Sequence, residues 1–133
     1  MNELPHLDDH GRSRMIDIGG KAITRRTAIA TGRLDTTPAV LELLAANQLR
    51  KADALPTARV AGIQGAKRTS ELVPLAHTLP LESVTVDFEL STSSVEIRAT
   101  VAATAKTGAE MEALTACLLY TSPSPRDGLR SRM

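Results

Sequence analysis

Aromatic side chains are almost absent from this 133-residue chain, which has one phenylalanine, one tyrosine and no tryptophan. Proteins that bind single-stranded nucleic acid usually stack the bases on aromatic rings, so the shortage argues against such a partner. A hydrophobic fraction of 42% still allows one folded domain. Its core must be built from valine, isoleucine, leucine and alanine.

Cysteine, net charge and long apolar runs are scarce as well. The lone Cys117 excludes an intrachain disulfide and a site made of several thiolates, which is consistent with a cytoplasmic protein. A net charge of +1 creates no overall field toward nucleic acid. No segment approaches the roughly 20 apolar residues of a membrane span, and the N-terminus lacks the apolar core of a signal peptide. We therefore expect a cytoplasmic protein that binds neither nucleic acid nor membrane.

Residues 1–14 are polar and show no periodicity, so they are predicted to form a flexible arm. His6 and His10 lie there beside Asp8 and Asp9, which suggests a metal site. An unsupported arm does not fix ligand geometry, however. These side chains are therefore interpreted as solvated, and no metal is expected.

Two strands and a helix are predicted in the first third of the chain. Met15–Ile18 reads as a short strand, and Arg25–Leu34, with its β-branched residues, as a second strand. Thr37 can cap a helix that begins at Pro38, since proline suits the first helical position. The buried stripe of this helix is expected to consist of Val40, Leu41, Leu44 and Ala45.

A second predicted helix, capped by Thr57 and ending near Glu71, combines small residues with cations. Its small side chains would let another backbone approach closely, either a sheet or a second subunit, and they form one face: Ala58, Ala61, Gly62, Gly65 and Ala66. Three cations on the same helix favour an anion-binding surface over a solvated face: Arg59, Lys67 and Arg68.

A β-hairpin is predicted by two stretches that alternate apolar and polar residues: 84–90 and 95–101. If Ser91 pairs with Ser94, then Asp87 lies opposite Arg98 on the solvent-facing side. Thr107 and Glu110 have the spacing of a capping box, which predicts a third helix after the hairpin. This order of elements predicts an α+β domain with helices on one face of an antiparallel sheet.

Position alone leaves the role of the candidate site residues open. His77 follows Pro74 in a predicted loop, where an acid–base histidine and a solvated histidine are equally plausible. Lys51 reads more simply as an exposed lysine that closes the first helix. Glu110 and Glu112 do not share a helix face, so one can cap the helix while the other reaches a ligand.

The chain resembles the MoaC family from about residue 4 to residue 117. Blocks this long and colinear are far more specific than a short motif. The matching segments are Met15–Ile18, Lys51 with Asp53, Ala58–Gln64, Ala66–Thr69, Leu72–Leu75, His77 and Lys106–Ala116. The resemblance implies a ferredoxin-like α+β subunit that assembles as a hexamer built from dimers, with active sites between subunits.

The resemblance also implies a lyase of molybdenum cofactor biosynthesis. The implied reaction converts 3′,8-cyclo-7,8-dihydro-GTP into cyclic pyranopterin monophosphate and releases pyrophosphate. It uses a GTP-derived substrate and needs neither a metal nor a redox cofactor. The implied catalytic residues are Lys51 and His77. The implied substrate-binding residues are Lys67, Arg68, Leu75, Ala76, His77, Glu110, Met111 and Glu112.

The chain departs from the family pattern at two places. The family usually has Cys-His-Pro where this chain has Ala76-His77-Thr78, and loss of the proline frees the backbone after the histidine. From residue 118 onward the composition turns to Ser, Pro and Arg, which is typical of disorder. The family's catalytic Asp and Lys, one helical turn apart, have no match there, since Asp127 has no lysine one turn on.

We therefore expect residues 15–117 to form an incomplete family domain and residues 118–133 a non-family tail. Very weak or absent turnover and poor solubility are expected to follow. One alternative is a non-catalytic module for nucleotide binding or oligomerisation. Another is an RNA-binding ferredoxin-like domain, which is disfavoured because the predicted sheet face offers Thr, Asp, Glu and Arg instead of stacking rings.

Overall fold

The computed structural model describes residues 4–46 and 53–121, with the backbone alone for residues 119–121. Its elements follow the order β1 (Thr24–Asp35), α1 (Pro38–Ala45), α2 (Ala54–Lys67), α3 (Thr69–Leu72), β2 (Leu81–Leu90), β3 (Ser94–Ala105) and α4 (Glu110–Thr121). The three strands form an antiparallel sheet in the order β1-β3-β2, with helices packed against it. This arrangement confirms the expected α+β class and is consistent with a ferredoxin-like fold.

The hairpin of β2 and β3 has the register that the sequence predicts. The Ser91 amide donates a hydrogen bond of 2.9 Å to the Ser94 carbonyl, and Asp87 pairs with Arg98. The central strand β3 is the most deeply buried of the three because it pairs on both sides. Its alternate residues face the helices and are fully buried: Val95, Ile97, Ala99, Val101 and Ala103.

The small-residue face of α2 does allow a close approach, and its neighbour is α4. A Cβ atom added to Gly62 would lie 2.9 Å from the carbonyl oxygen of Ala116 and 3.2 Å from Cγ2 of Val86. Contacts this short require something to shift, so the backbones of α2 and α4 touch here only because Gly62 has no side chain. Helices α2 and α4 are therefore packed closely against each other.

The first helix begins as predicted. Thr37 accepts a hydrogen bond of 3.3 Å from the Val40 amide through its side chain, and Pro38 occupies the first turn. Leu41 and Leu44 are buried, whereas Ala45 is exposed, so its place in the predicted stripe was wrong. Ala45 is also the last residue of the helix, which ends with Ala46 as its C-cap.

The second helix begins earlier and ends sooner than predicted. Asp53 is its N-cap, in a left-handed conformation with φ of 59°, and Thr57 lies inside the first turn. The prediction of Thr57 as the cap was therefore wrong. The helix stops at Lys67, and α3 follows as a separate turn. The Thr69 side chain donates to the carbonyl groups of Gly65 and Ala66, which satisfies acceptors at the end of α2.

The predicted capping box before the last helix was also wrong. Helix α4 begins at Glu110, and the carbonyl of Ala109 accepts its first bond from the Ala113 amide at 3.0 Å. Ala109 therefore occupies the cap position, and Thr107 lies two residues before it. This shift places Glu112 at the third helical position, where the sequence pattern had expected Glu110.

The predicted strand Met15–Ile18 was wrong as well. This segment pairs with none of the described strands. The Ile16 carbonyl instead accepts a hydrogen bond from the side chain of His77, and the Asp17 side chain bonds to the Gly19 amide. Within the described ranges, no helix is both long and apolar enough to cross a membrane.

Candidate active site

A cavity of about 200 Å³ lies where the loop after α3 meets the beginning of α4. The segment before β1 closes another side of it, through Ile16, Ile18 and Lys21. The cavity brings together six of the residues predicted for the site: Leu75, Ala76, His77, Glu110, Met111 and Glu112.

The segment before β1 fixes the orientation of His77 and, in the neutral imidazole, its tautomer. Its Nε2 atom lies 2.7 Å from the carbonyl oxygen of Ile16. A carbonyl oxygen only accepts hydrogen bonds, so Nε2 carries the proton and donates. In the neutral imidazole, Nδ1 is then the unprotonated nitrogen, free to accept a proton from a ligand.

The loop that carries His77 is anchored on both sides of the histidine. The Ala76 amide donates to the Val73 carbonyl at 3.1 Å, and the Thr78 hydroxyl donates to the Ser70 hydroxyl at 3.2 Å. Thr78 stands where the family usually has proline. Its side-chain bond to α3 therefore restrains the chain after the histidine by a different means.

Glu112 is a buried carboxyl group, with 4% of its surface exposed. Burial raises its pKa, its own backbone amide lowers it in part, and the nearby charge of Glu110 raises it again. The carboxyl group therefore keeps a proton to higher pH than an exposed glutamate does. It can donate that proton, or pair with a donor-rich ligand that enters the cavity.

Glu110 lines the same cavity from its exposed side. A Cβ atom on Gly108 would overlap the carboxylate of Glu110, so the glycine allows this side chain to turn back over the loop. The two carboxyl groups of Glu110 and Glu112 thus reach one cavity although they lie two residues apart on the helix. Local spacing alone had suggested that only one of them would face a ligand.

Lys21 is a cation of the cavity that the sequence analysis missed. It follows a tight turn in which the Lys21 amide donates to the Ile18 carbonyl at 3.0 Å. The Lys106 ammonium group donates to the Gly19 carbonyl at 3.2 Å, which ties the turn to the end of β3. A lysine directly after a Gly-Gly pair is the signal that could have indicated it.

Two further polar residues were not singled out as site residues from the sequence, one inside the cavity and one outside its lining. His6 also lines the cavity, although its segment was interpreted as a solvated arm. Arg26 lies on the helix-facing side of β1, opposite Ala103, and its Nε atom is buried without a hydrogen-bond partner in the part of the chain that is described. Neither position has a local sequence pattern that distinguishes it from a structural residue.

The cations of α2 do not line this cavity. Lys67 and Arg68 are exposed at the end of the helix. Arg59 donates to the Val86 carbonyl at 2.9 Å and lies 5.5 Å from the centre of the Phe88 ring, so it fastens α2 to β2. Lys51 lies outside the described residues.

A larger concavity of about 710 Å³ lies on the solvent-facing side of the sheet. Both carboxylates and guanidinium groups line it, and one opposite-charge pair across the strands is Asp87 with Arg98. Its lining contains no histidine, whereas the smaller cavity has two imidazoles and a carboxyl group of raised pKa. The acid–base chemistry of the described chain is concentrated at the smaller cavity.

Among the residues in the two described ranges, no group of three or more His, Cys, Asp or Glu is arranged to hold a metal ion.

Comparison with known proteins gives one family. Residues 15–121 match the model of the MoaC family. The chain is 51% identical over 115 residues to the cyclic pyranopterin monophosphate synthase of Streptomyces avermitilis, a match that covers 86% of this chain and 68% of the relative. It is 54% identical over 114 residues to cyclic pyranopterin monophosphate synthase 2 of Mycobacterium tuberculosis, with coverage of 86% and 68%. It is 51% identical over 118 residues to the synthase of Chloroflexus aggregans, with coverage of 87% and 72%.

Proposed function

The chain belongs to the MoaC family, and we propose that it is a subunit of a cyclic pyranopterin monophosphate synthase. This lyase of molybdenum cofactor biosynthesis converts 3′,8-cyclo-7,8-dihydro-GTP into cyclic pyranopterin monophosphate and releases pyrophosphate. The observation that carries the proposal is one cavity that unites His77, Glu112 and Lys21. Relatives that bear the name of this enzyme are about half identical to the chain.

The three groups supply different parts of the chemistry. His77, with Nε2–H bonded to Ile16, offers Nδ1 to accept and return protons as the purine-derived ring opens and recloses. The carboxyl group of Glu112 suits the guanidine-like edge of a pterin, which is rich in donors. Lys21 supplies positive charge for the phosphate groups of the substrate.

We propose that the phosphate groups also meet Lys67 and Arg68 from a second subunit. Both side chains are exposed and neither lines the cavity of its own chain, which is what a site shared between two copies requires. Helix α4 exposes Met111, Leu114 and Leu118, with 43%, 45% and 55% of their surface accessible. This apolar stripe favours assembly with further copies, in line with the hexamer built from dimers that the family resemblance implies.

The proposal is tested by turnover of the purified chain and of a His77→Ala variant. Loss of a positioned acid–base group typically lowers kcat by about 100-fold or more. His10→Ala is the matched control, because His10 is exposed and does not line the cavity. Equal turnover in the two variants would contradict the role of His77. Absence of product with the unmodified chain would contradict the synthase function.

One feature of the sequence favours a second candidate. Residues 118–133 contain no match to the Asp and Lys that lie one turn apart in the family. A chain without them is expected to bind the nucleotide but turn it over weakly or not at all. Calorimetric binding of GTP together with an absence of product would identify a non-catalytic nucleotide-binding module.

A further inference from the structure

The described part of the N-terminal segment, residues 4–14, forms a turn held by backbone hydrogen bonds. Leu7 and Ser13 form an antiparallel bridge, and the Asp8 amide donates to the Arg12 carbonyl at 2.9 Å. Gly11 has φ of 75°, a left-handed conformation that glycine adopts without strain. The segment therefore has a defined course over residues 4–14.

The side chain of Asp8 clamps this turn. Its Oδ1 atom accepts hydrogen bonds of 2.9 Å from the amides of His10 and Arg12, and its Oδ2 atom lies 2.8 Å from Nε of Arg12. The hydrogen bond from the Arg12 amide is the largest of the effects that lower the pKa of Asp8. The carboxylate thus stays charged, and the clamp stays intact, over the neutral pH range.

The turn fixes the backbone on both sides of His6. The Arg14 amide donates to the His6 carbonyl at 2.8 Å, and Nε of Arg14 donates to the Pro5 carbonyl at 3.2 Å. Residue 6 is thereby held next to the extended segment that bonds to His77. His6 lines the cavity and is exposed, whereas Glu112 lines the same cavity and is buried.

The cavity is consequently polar in one direction. Its carboxyl groups, Glu110 and Glu112, both come from the beginning of α4. Two of its nitrogen-bearing side chains, His6 and Lys21, come from the segment before β1, and the third, His77 of the loop after α3, is bonded through Nε2 to that segment. A ligand with a donor-rich edge at one end and anionic oxygens at the other fits this polarity in one orientation. The GTP-derived substrate of the proposed function has those two ends.

We propose that His6 is a substrate-binding residue of this site, which donates a hydrogen bond to an anionic phosphate oxygen beside Lys21. This assignment rests on the proposed function and extends it to a segment that the sequence pattern had set aside. The N-terminal turn then helps to orient the substrate, because it holds the backbone of His6. It also predicts that the effect of the imidazole appears in binding more than in the chemical step.

The test compares His6→Ala with His10→Ala in the full chain. The two histidines share one turn and one residue type, but only His6 lines the cavity. A hydrogen bond to a charged group is worth enough that we expect the KM of His6→Ala to rise about tenfold, with kcat changed less than about threefold. His10→Ala is expected to keep both values, and equal thermal unfolding of the two variants shows that the fold is intact.

Three outcomes would overturn the assignment or its premise. Equal KM values for the two variants would remove His6 from the site. A loss in kcat with KM unchanged would assign His6 to the chemical step and contradict a binding role. If the unmodified chain gives no product, the proposed function fails while His6 is still tested, by calorimetric binding of GTP to the same two variants. Equal GTP affinity, or no GTP binding by the unmodified chain, would then reject the role of His6.

Discussion

Glu112 experiences two opposing effects at a single residue. It lies at the third position of α4, where unpaired amide groups favour a negative charge. It is also buried, which favours the neutral carboxyl, and burial is the larger effect on its pKa. A group that is costly to charge but placed beside a helix N-terminus is typical of a functional site, because a structural role is met more simply by a neutral side chain.

The raised pKa of Glu112 has a consequence for stability. The folded chain holds the proton more tightly than the unfolded chain, so stability is expected to fall as pH rises from about the ordinary value of 4.5 through the raised pKa. Glu112→Gln removes this dependence. We expect the free energy of unfolding of the variant at pH 7 to be about 1 kcal/mol larger than that of the unmodified chain. The reason is that the neutral amide avoids the desolvation penalty of a buried group that is not fully hydrogen-bonded. At pH 4 the difference should be smaller.

Urea unfolding at both pH values measures this difference. Glu110→Gln is the control, because Glu110 lies on the same turn but is exposed. The control should show no comparable increase between pH 4 and pH 7. A constant difference between Glu112→Gln and the unmodified chain across this range would mean that burial does not govern the carboxyl group.

The individual site residues were only partly accessible from the sequence. His77, Glu110 and Glu112 were identified because they lie in segments that match a known family. Lys21 and His6 were not, because a residue becomes part of a cavity only when distant segments meet. The bond from His77 to Ile16 joins residues 61 positions apart, and no local pattern predicts it.

At the scale of elements, the small residues of α2 were informative about helix packing, because several of them together define one face of the helix. Alanine and glycine at helical spacing predicted close approach of a sheet or a second subunit, whereas the backbone that lies against Gly62 is that of helix α4. The capping prediction was confirmed for Thr37 but wrong for Thr57 and Thr107, because a single local signal does not distinguish between candidate caps. Thr57 and Thr107 both have suitable side chains, but Asp53 and Ala109 occupy the cap positions. Tertiary contacts decide between such alternatives.

Gly62→Ala tests the contact between α2 and α4. The new methyl group would meet the Ala116 carbonyl oxygen at 2.9 Å, a backbone atom that cannot move alone. We expect the free energy of unfolding to fall by about 1–3 kcal/mol, as for other overpacked cores. Gly20→Ala is the control, since a Cβ there has no neighbour within 4 Å. If both variants unfold at the same denaturant concentration, the two helices are not in the close contact described.

At the scale of the whole molecule, fold class and family followed from the sequence with little ambiguity. The order of elements and the alternation of residues 84–90 and 95–101 are enough to specify an antiparallel sheet with covering helices. The boundary at residue 117 remains a prediction, and the family match runs to residue 121. The oligomeric state could not be predicted from the residue pattern alone. A surface that binds a second copy has the same apolar composition as a part of the core that is partly exposed.

The shared site makes a prediction about mixtures of two inactive variants. Lys67→Ala and His77→Ala are each expected to show little turnover alone. If Lys67 of one subunit serves the cavity that holds His77 of its neighbour, half of the sites in a mixed pair contain both groups. Random pairing of equal amounts should then restore about a quarter of the turnover of the unmodified chain.

The measurement is turnover after the two variants are unfolded, combined and refolded together. A mixture of the same variants refolded separately is the control, since it contains no mixed pairs and should show no recovery. If Lys67 and His77 act within one chain, joint refolding gives only the average of the two separate activities. Recovery above that average requires a site built from two subunits, because no single polypeptide in the mixture carries both residues. The exposed position of Lys67 away from its own cavity is then explained by its contact with the substrate of the neighbouring subunit.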